Sequence, residues 1–495
     1  MKRNIIFLVI LPLTAIGLLL RVWNLKSNPP ELFSDEIRGI LSAKSMIESG
    51  KDINGKPELY FYNRLELYPP VYGYLAALTS YAIGNDTLAV RLPAAISGTI
   101  TIALVFYLTL LLFKNTIVAA TSAFVITFAP WAIHFSRVGW EPGIFLPFII
   151  LPIILFFLFL HKKKNIFLFL SFIFFAFAVY TTRSSEFLSP LFMVILLALN
   201  FREIKKHYVP VVASLAIFSI LIIPYLYISA TQPLMHERAD RIFTFAGGVN
   251  KTTLGIFVRN YYSHLTPSFL FINGDPNLRQ GAGTGVLFWS FLPLIILGLV
   301  ETFKNIPKKE YKFLLLWFLV FPLGGSLTND GVPHATRTLI GVVAFAILAG
   351  LGARLIWEKG QKLFIIFSII LFIAFSLELS RFLTIYFKDY PINSQAWWEY
   401  GQSQIFSIIK TNTKGGESLC LLNTDYWHEE TLTKYYLGIN NNYKIIYDPN
   451  NPDCFSSQIL VLKPQVTPPL EYVSIKTVNS LEGNPIWTVY SSLKN

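Results

Sequence analysis

Acids and arginines recur where apolar runs end in this chain, and that pairing could do chemistry. Asp35 and Glu36 follow the first run in "LFSDEIRGI", Arg64 and Glu66 precede Pro69-Pro70, and Arg91 opens the second run. His134, Arg137 and Glu141 lie in "HFSRVGWEPG", Arg183 and Glu186 in "YTTRSSE", and Asp330, His334 and Arg337 in "TNDGVPHATR". A carboxylate held ionised at a helix N-terminus is a suitable general base. Guanidinium groups pair with phosphate oxygens through two parallel hydrogen bonds. Together they suit transfer of a group from a lipid phosphate to a hydroxyl or amine.

Each residue type also has a structural use. An Arg at the end of a span snorkels to the headgroups. A lone His is an ordinary structural side chain, and Glu66 and Glu186 can solvate loops. Asp330 sits in an Asn-Asp-Gly turn, where turn chemistry alone selects it. Asp35 and Glu36 have a capping alternative: Ser34 is a plausible N-cap, and Ile37, Ile40, Leu41 and Ile47 form an apolar stripe ending near Gly50.

The elements that must position these groups cross a membrane. The 495 residues are 53% hydrophobic and 14% charged, against about a quarter charged in soluble chains. Runs such as "GIFLPFIILPIILFFLFL" are near spanning length and recur through residue 380. The first run has no small-residue cleavage site after it, so it reads as a span rather than a signal peptide. The basic residues behind the net charge of +12 cluster in short loops between apolar runs, the pattern of a topology signal, so nucleic-acid binding is not expected.

Placing Lys2/Arg3, Lys114, Lys162 to Lys164, Arg202/Lys205/Lys206, Lys304 to Lys312 and Arg354 to Lys362 in the cytoplasm orients the chain. Spans are then expected at 4–23, 91–113, 117–136, 143–161, 166–182, 186–200, 209–229, 285–303, 312–328, 337–356 and 363–380, about eleven in all. Residues 24–90 and 230–284 become external loops. "VYGYLAALTSYAIG" (71–84) is short for a span and suits an interfacial helix. Residues 1–380 thus form a membrane domain. Residues 381–495 read as a small external α/β domain: "SQAWWEYGQSQIFSIIK" has helical spacing, while "SLCLLN", "YKIIY", "QILVLK", "VSIKTV" and "PIWTVY" read as short strands. Cys420 and Cys454 both fall in this tail, and whether they pair is open; two cysteines make no framework.

The order of an external "DE" on a horizontal helix, "PP", "RLPAAISGTI", "SRVGWE" and "GVPHATRTLIGVVAFAILAGLGA" resembles a known family over roughly residues 1–350. It is similar to the polytopic glycosyltransferases of the dolichyl-phosphate-mannose–protein mannosyltransferase and lipid A aminoarabinose transferase type, which have the GT-C fold. The resemblance implies an inverting transferase of the plasma membrane using a polyprenyl-phosphate-linked sugar and a protein, lipid or glycan acceptor. It assigns the base to Asp35, with Glu36 beside it, and a second acid to Glu141, where many relatives carry Asp. Arg137, Arg183 and Arg337 are the candidates for the donor phosphate, with His334 and Arg91 behind them. Some members bind a divalent metal here; Glu66 and His264 are the candidates, although no ligand spacing demands one.

A transporter or flippase of lipid-linked sugars is the rival, but transporters place charges near the bilayer midplane, often in related halves. Here the charges sit at span ends and no internal repeat is evident. An inactive lipid-sugar-binding paralogue is the third reading, and retention of Asp35 and Glu141 argues against it. The chain carries no Gly-rich phosphate loop.

Overall fold

Proline and small residues, more than length, set where the helices of this protein break and touch. The computed structural model describes residues 3–57, 59–62, 67–84, 87–421, 429–438, 442–447 and 451–493. Helix α1 (Arg3–Val22) leads through a loop into α2 (Ser34–Ser49), strands β1 (Phe61–Tyr62) and β2 (Leu67–Tyr68), and α3 (Val71–Ile83). The apolar bundle continues with α4 (Thr87–Phe113), α5 (Thr116–Phe128), α6 (Pro130–Phe135), α7 (Pro142–Lys162), α8 (Asn165–Val179) and α9 (Arg183–Leu199). After the short α10 (Phe201–Lys205) come α11 (Tyr208–Thr231), then α12 (Leu234–Ile242) and α13 (Lys251–Ser263) in the second large loop. Helices α14 (Leu292–Lys304), α15 (Lys309–Val320), α16 (Leu323–Ser326), α17 (Gly341–Lys359) and α18 (Gln361–Thr384) complete the bundle, and α19 (Tyr390–Ser394) follows.

Among the described residues, five segments are long and apolar enough to cross a membrane: Thr87–Phe113, Pro142–Lys162, Tyr208–Thr231, Gly341–Lys359 and Gln361–Ser394. On α18 the side chains of Ile365, Ile369 and Phe372 are exposed, as lipid-facing residues would be. The run expected at 117–136 is two helices, because a residue before proline avoids the helical region and Ala129 turns out ahead of Pro130. The last span runs beyond 380, to Thr384 and onward as a π-turn to Asp389.

Glycines let backbones touch. A Cβ on Gly352 of α17 would strike the Leu294 carbonyl of α14, and one on Gly73 of α3 would strike the Gly39 carbonyl of α2. The "AILAGLGA" segment therefore packs α17 tightly against α14, with α5 on its other side.

The basic loops gather at one end of the bundle. Lys163 pairs with Glu203 at 3.1 Å, Lys309 reaches Asn200 at 3.4 Å, and Phe113 packs edge-on against Tyr311. The acids and arginines of the opposite loops collect at the other end.

The tail forms helix α20 (Gln402–Asn412), β3 (Ser418–Leu421), α21 (Glu429–Leu437), β4 (Lys444–Ile446), β5 (Ile459–Leu462), β6 (Tyr472–Asn479) and β7 (Pro485–Ser492). The sheet order is β4-β3-β5-β7-β6, with β3 parallel to β4 and β5, and β7 antiparallel to β5 and β6. All five segments read as strands are strands. The helical spacing seen from 394 begins a helix only at Gln402; Glu399 and Gly401 both have positive φ and form a turn ahead of it. Cys420 and Cys454 form a disulfide, Cα to Cα 5.1 Å. Ile405, Phe406 and Ile409 share one apolar core with Ile37, Ile40 and Leu41 of α2, so the tail domain is seated on the first loop.

Candidate active site

Asp35 and Glu36 are neighbours in the chain but face different surroundings. Glu36 is buried and reaches back to accept the Phe33 N–H at 3.3 Å, and it also takes the Gly139 N–H. Arg91 binds both its oxygens, Nε to Oε1 and Nη2 to Oε2, each at 2.9 Å. The same guanidinium donates to the carbonyls of Leu25, Pro29 and Glu31. This pair ties α2, α4, the loop after α1 and the turn before α7. It leaves Arg91 no face for a phosphate and Glu36 none for a substrate.

Asp35 sits on the other side of the same first turn, with its side chain one-third exposed. Arg38, one turn on, pairs with it at 3.1 Å, and the Tyr68 hydroxyl lies 3.4 Å from the same oxygen. Arg38 also donates to Tyr68 Oη, and its guanidinium lies over the Tyr68 ring, 4.6 Å from the centroid. The carboxylate is thereby fixed at the favourable end of the helix dipole while still open to solvent.

Ser34 is not the N-cap. The helix begins on it, Phe33 occupies the cap position, and the Ser34 N–H donates to Glu399 at 3.1 Å. The Ser34 hydroxyl donates to the other Glu399 oxygen at 3.3 Å. Burial first, and then the charge of Asp35, push the Glu399 carboxyl up to about 7, while Arg279 opposes both. Around this point Phe33 packs edge to face against Trp140 and Trp398, at 4.8 and 5.4 Å between centroids, while the two indoles lie tilted by 34° at 5.8 Å. Arg279 lies over Phe33 at 5.1 Å and near the exposed Trp397 at 5.7 Å. Neither Glu399 nor Arg279 stood out in the sequence. The signal for the first was a lone acid inside "AWWEYG", and for the second a lone Arg in the Gly-rich "NLRQGAG".

The remaining candidates divide. Arg137 is buried and donates to the carbonyls of Leu20, Arg21 and Asn28 at 2.8 to 3.1 Å, so it fastens α1 rather than facing a ligand. Arg183, a third exposed, pairs with Glu186 at 3.2 Å and donates to the Leu67 carbonyl, one residue from Tyr68. Arg337 donates to the Thr328 hydroxyl at 2.6 Å and pairs with Asp330 at 3.2 Å. Glu141 is partly exposed at the head of α7, directly after Trp140. His334 lies behind the rim, 3.3 Å from Gln280, the neighbour of Arg279.

His264 does not fit a metal ligand. Its Nε2 accepts the His334 N–H at 2.9 Å and its Nδ1 is 2.7 Å from the Asn260 carbonyl, so both ring nitrogens are engaged. Burial lowers its pKa to about 4, which keeps the ring neutral. Glu66 and Arg64 lie outside the described residues, and among the described residues no three His, Cys, Asp or Glu side chains gather as a metal site. Asp275, which accepts the Ala335 N–H at 2.7 Å, completes the buried cluster joining these two loops.

The fold is that of the GT-C membrane glycosyltransferases. It is similar to ArnT from Cupriavidus metallidurans bound to undecaprenyl phosphate, at 12% identity, with a TM-score of 0.60 and 97% of each chain covered. It is also similar to the archaeal oligosaccharyltransferase AglB from Archaeoglobus fulgidus in complex with an inhibitory peptide and a dolichol-phosphate. There the identity is 12% and the TM-score 0.53, over 88% of this chain and 64% of that one. Residues 68–228 match the dolichyl-phosphate-mannose-protein mannosyltransferase family, which bears out the resemblance seen in the motifs. No curated protein matches the chain significantly in sequence.

Proposed function

We propose that the chain is an inverting glycosyltransferase that moves a sugar from a polyprenyl-phosphate donor to an acceptor at the extracytoplasmic membrane face. The observation that carries this is Asp35, an accessible carboxylate at a helix N-terminus whose orientation is held by Arg38 and Tyr68. The undecaprenyl phosphate and dolichol-phosphate bound to the two fold relatives support the donor class.

In this reading Asp35 takes the proton from the acceptor's nucleophile as that atom attacks the anomeric carbon. The bond from that carbon to the phosphate oxygen breaks on the opposite face, and the polyprenyl phosphate leaves as an anion. Arg279 and Arg183 receive that charge in the proposal, with Arg337 and His334 as supporting groups. Glu141 is the second acid of the rim. The acceptor is a protein hydroxyl, a lipid or a cell-surface glycan.

The membrane topology belongs to the same proposal: about eleven spans, with both large loops and the tail domain outside. Segregation of the basic loops to the far end supports it, as does the Cys420–Cys454 disulfide, which suits an oxidising compartment. Charges at one end rather than mid-bundle favour a transferase over a transporter. Incubating purified protein with radiolabelled polyprenyl-phosphate sugars and membrane or protein extracts tests the proposal. Transfer of label is expected, and its absence across the donor series would refute it.

A further inference from the structure

The N-terminus of α2 has two of its N–H groups divided between two carboxyls of different origin. Glu36, from the helix itself, takes the Phe33 N–H, while Glu399, from 365 residues further along, takes the Ser34 N–H and hydroxyl. The Glu399 side is rigidly built. Trp398, fully buried, donates its indole N–H to the Tyr390 hydroxyl at 2.8 Å, which in turn donates to the Leu278 carbonyl at 2.6 Å. The tail domain also grips both flanks of α2. Ser403 and Tyr436 donate to Glu31 at 2.9 and 3.3 Å, and Lys434 donates to the Ile53 carbonyl at 3.2 Å.

We propose that Glu399 is a positioning residue for Asp35: it caps the turn that carries the base and its charge sets the basicity of that base. The tail segment is then part of the transfer site. This rests on Asp35 being the base.

The physical reason is the proximity of like charges. Two neighbouring carboxyls do not ionise independently, and the buried one holds its proton longer. Asp35, partly exposed and paired with Arg38, ionises first. When Glu399 then ionises as well, Asp35 carries a second negative charge beside it and becomes a stronger base. The other groups facing Glu399 are Arg279 from the second large loop, Tyr436 from α21 and, through Asp35, Arg38 and Tyr68. Tyr436 also donates to Glu31. The transfer step is unchanged in its balance: the acceptor proton goes to Asp35, and Glu399 exchanges none with substrate.

The test is the pH profile of kcat for label transfer by the full-length protein, wild type against Glu399→Gln. The amide oxygen can still accept the Ser34 N–H, so the cap persists while the charge is lost. The wild type should show an inflection near pH 7 that E399Q lacks. Above that pH, kcat of E399Q should fall about three- to tenfold, with the donor KM unchanged, as for a base weakened by roughly one pKa unit. Superimposable profiles would overturn the inference while leaving the transferase reading intact. Transfer by Asp35→Asn at the wild-type rate would instead remove the base itself. If E399Q does not fold, Glu399→Asp serves: it should keep an inflection at a displaced pH, and an undisplaced one would overturn the inference.

Discussion

Arg91 holds both oxygens of Glu36 at 2.9 Å, and neither side chain reaches solvent. The second acid of the "DE" pair is therefore a fastening point of the fold, and only the first is assigned the base in the proposed mechanism. Removing one member leaves the other charge buried without its partner. Arg91→Ala should therefore cost on the order of 3–5 kcal/mol of stability. Thermal unfolding of detergent-purified protein would show it, and an R91A variant that melts like wild type but loses donor affinity would contradict it.

The arginines should separate by what they touch. Arg279→Ala and Arg183→Ala are expected to weaken donor binding about ten- to a hundredfold, the scale of one charge-assisted hydrogen bond. Arg137→Ala should lower the melting temperature, because the carbonyls of Leu20, Arg21 and Asn28 lose their common donor. Binding of a fluorescent polyprenyl phosphate, measured beside melting curves, distinguishes the two outcomes.

Asp275 and His264 should pull stability in opposite directions with pH. Burial raises Asp275 from its usual 3.8 to about 6, so the folded protein holds that proton more tightly, and stability is lost as pH rises through this window. His264 is lowered from 6.5 to about 4, so the unfolded chain binds that proton more tightly, and stability is lost as pH falls from 6.5 towards 4. The two contributions offset one another in the wild type. Asp275→Asn should expose the histidine term as a melting temperature that climbs from pH 4 to 6.5, and a flat dependence would contradict it.

The membrane orientation is checked by cysteines placed on exposed positions at the two ends of the bundle. A membrane-impermeant thiol reagent applied to intact cells should label Lys51→Cys and spare Lys162→Cys. The reverse pattern would invert the whole arrangement.

Much of the fold was legible because it follows local rules. The five strands of the tail segment are legible as short apolar runs between Asn- and Pro-rich turns, and the short "VYGYLAALTSYAIG" helix by its length. Periodicity could not reveal the break at Pro130 within an otherwise continuous apolar run, although the proline marks it. The candidate site was only half legible. Residue type cannot distinguish an arginine satisfied by backbone carbonyls, such as Arg137, from one at the rim, such as Arg183. That difference is made by packing between segments more than a hundred residues apart. Glu399 was invisible for the same reason: its partner Ser34 lies at the other end of the chain.

The proposed transfer depends on Asp35 as its base. Purified wild-type protein and Asp35→Asn are given the same radiolabelled polyprenyl-phosphate sugar and acceptor extract, with donor binding and melting temperature followed in parallel. Transfer should fall by about a hundredfold or more in D35N, the scale of a lost general base, while binding and melting stay near wild type. Normal transfer by D35N would contradict the assignment.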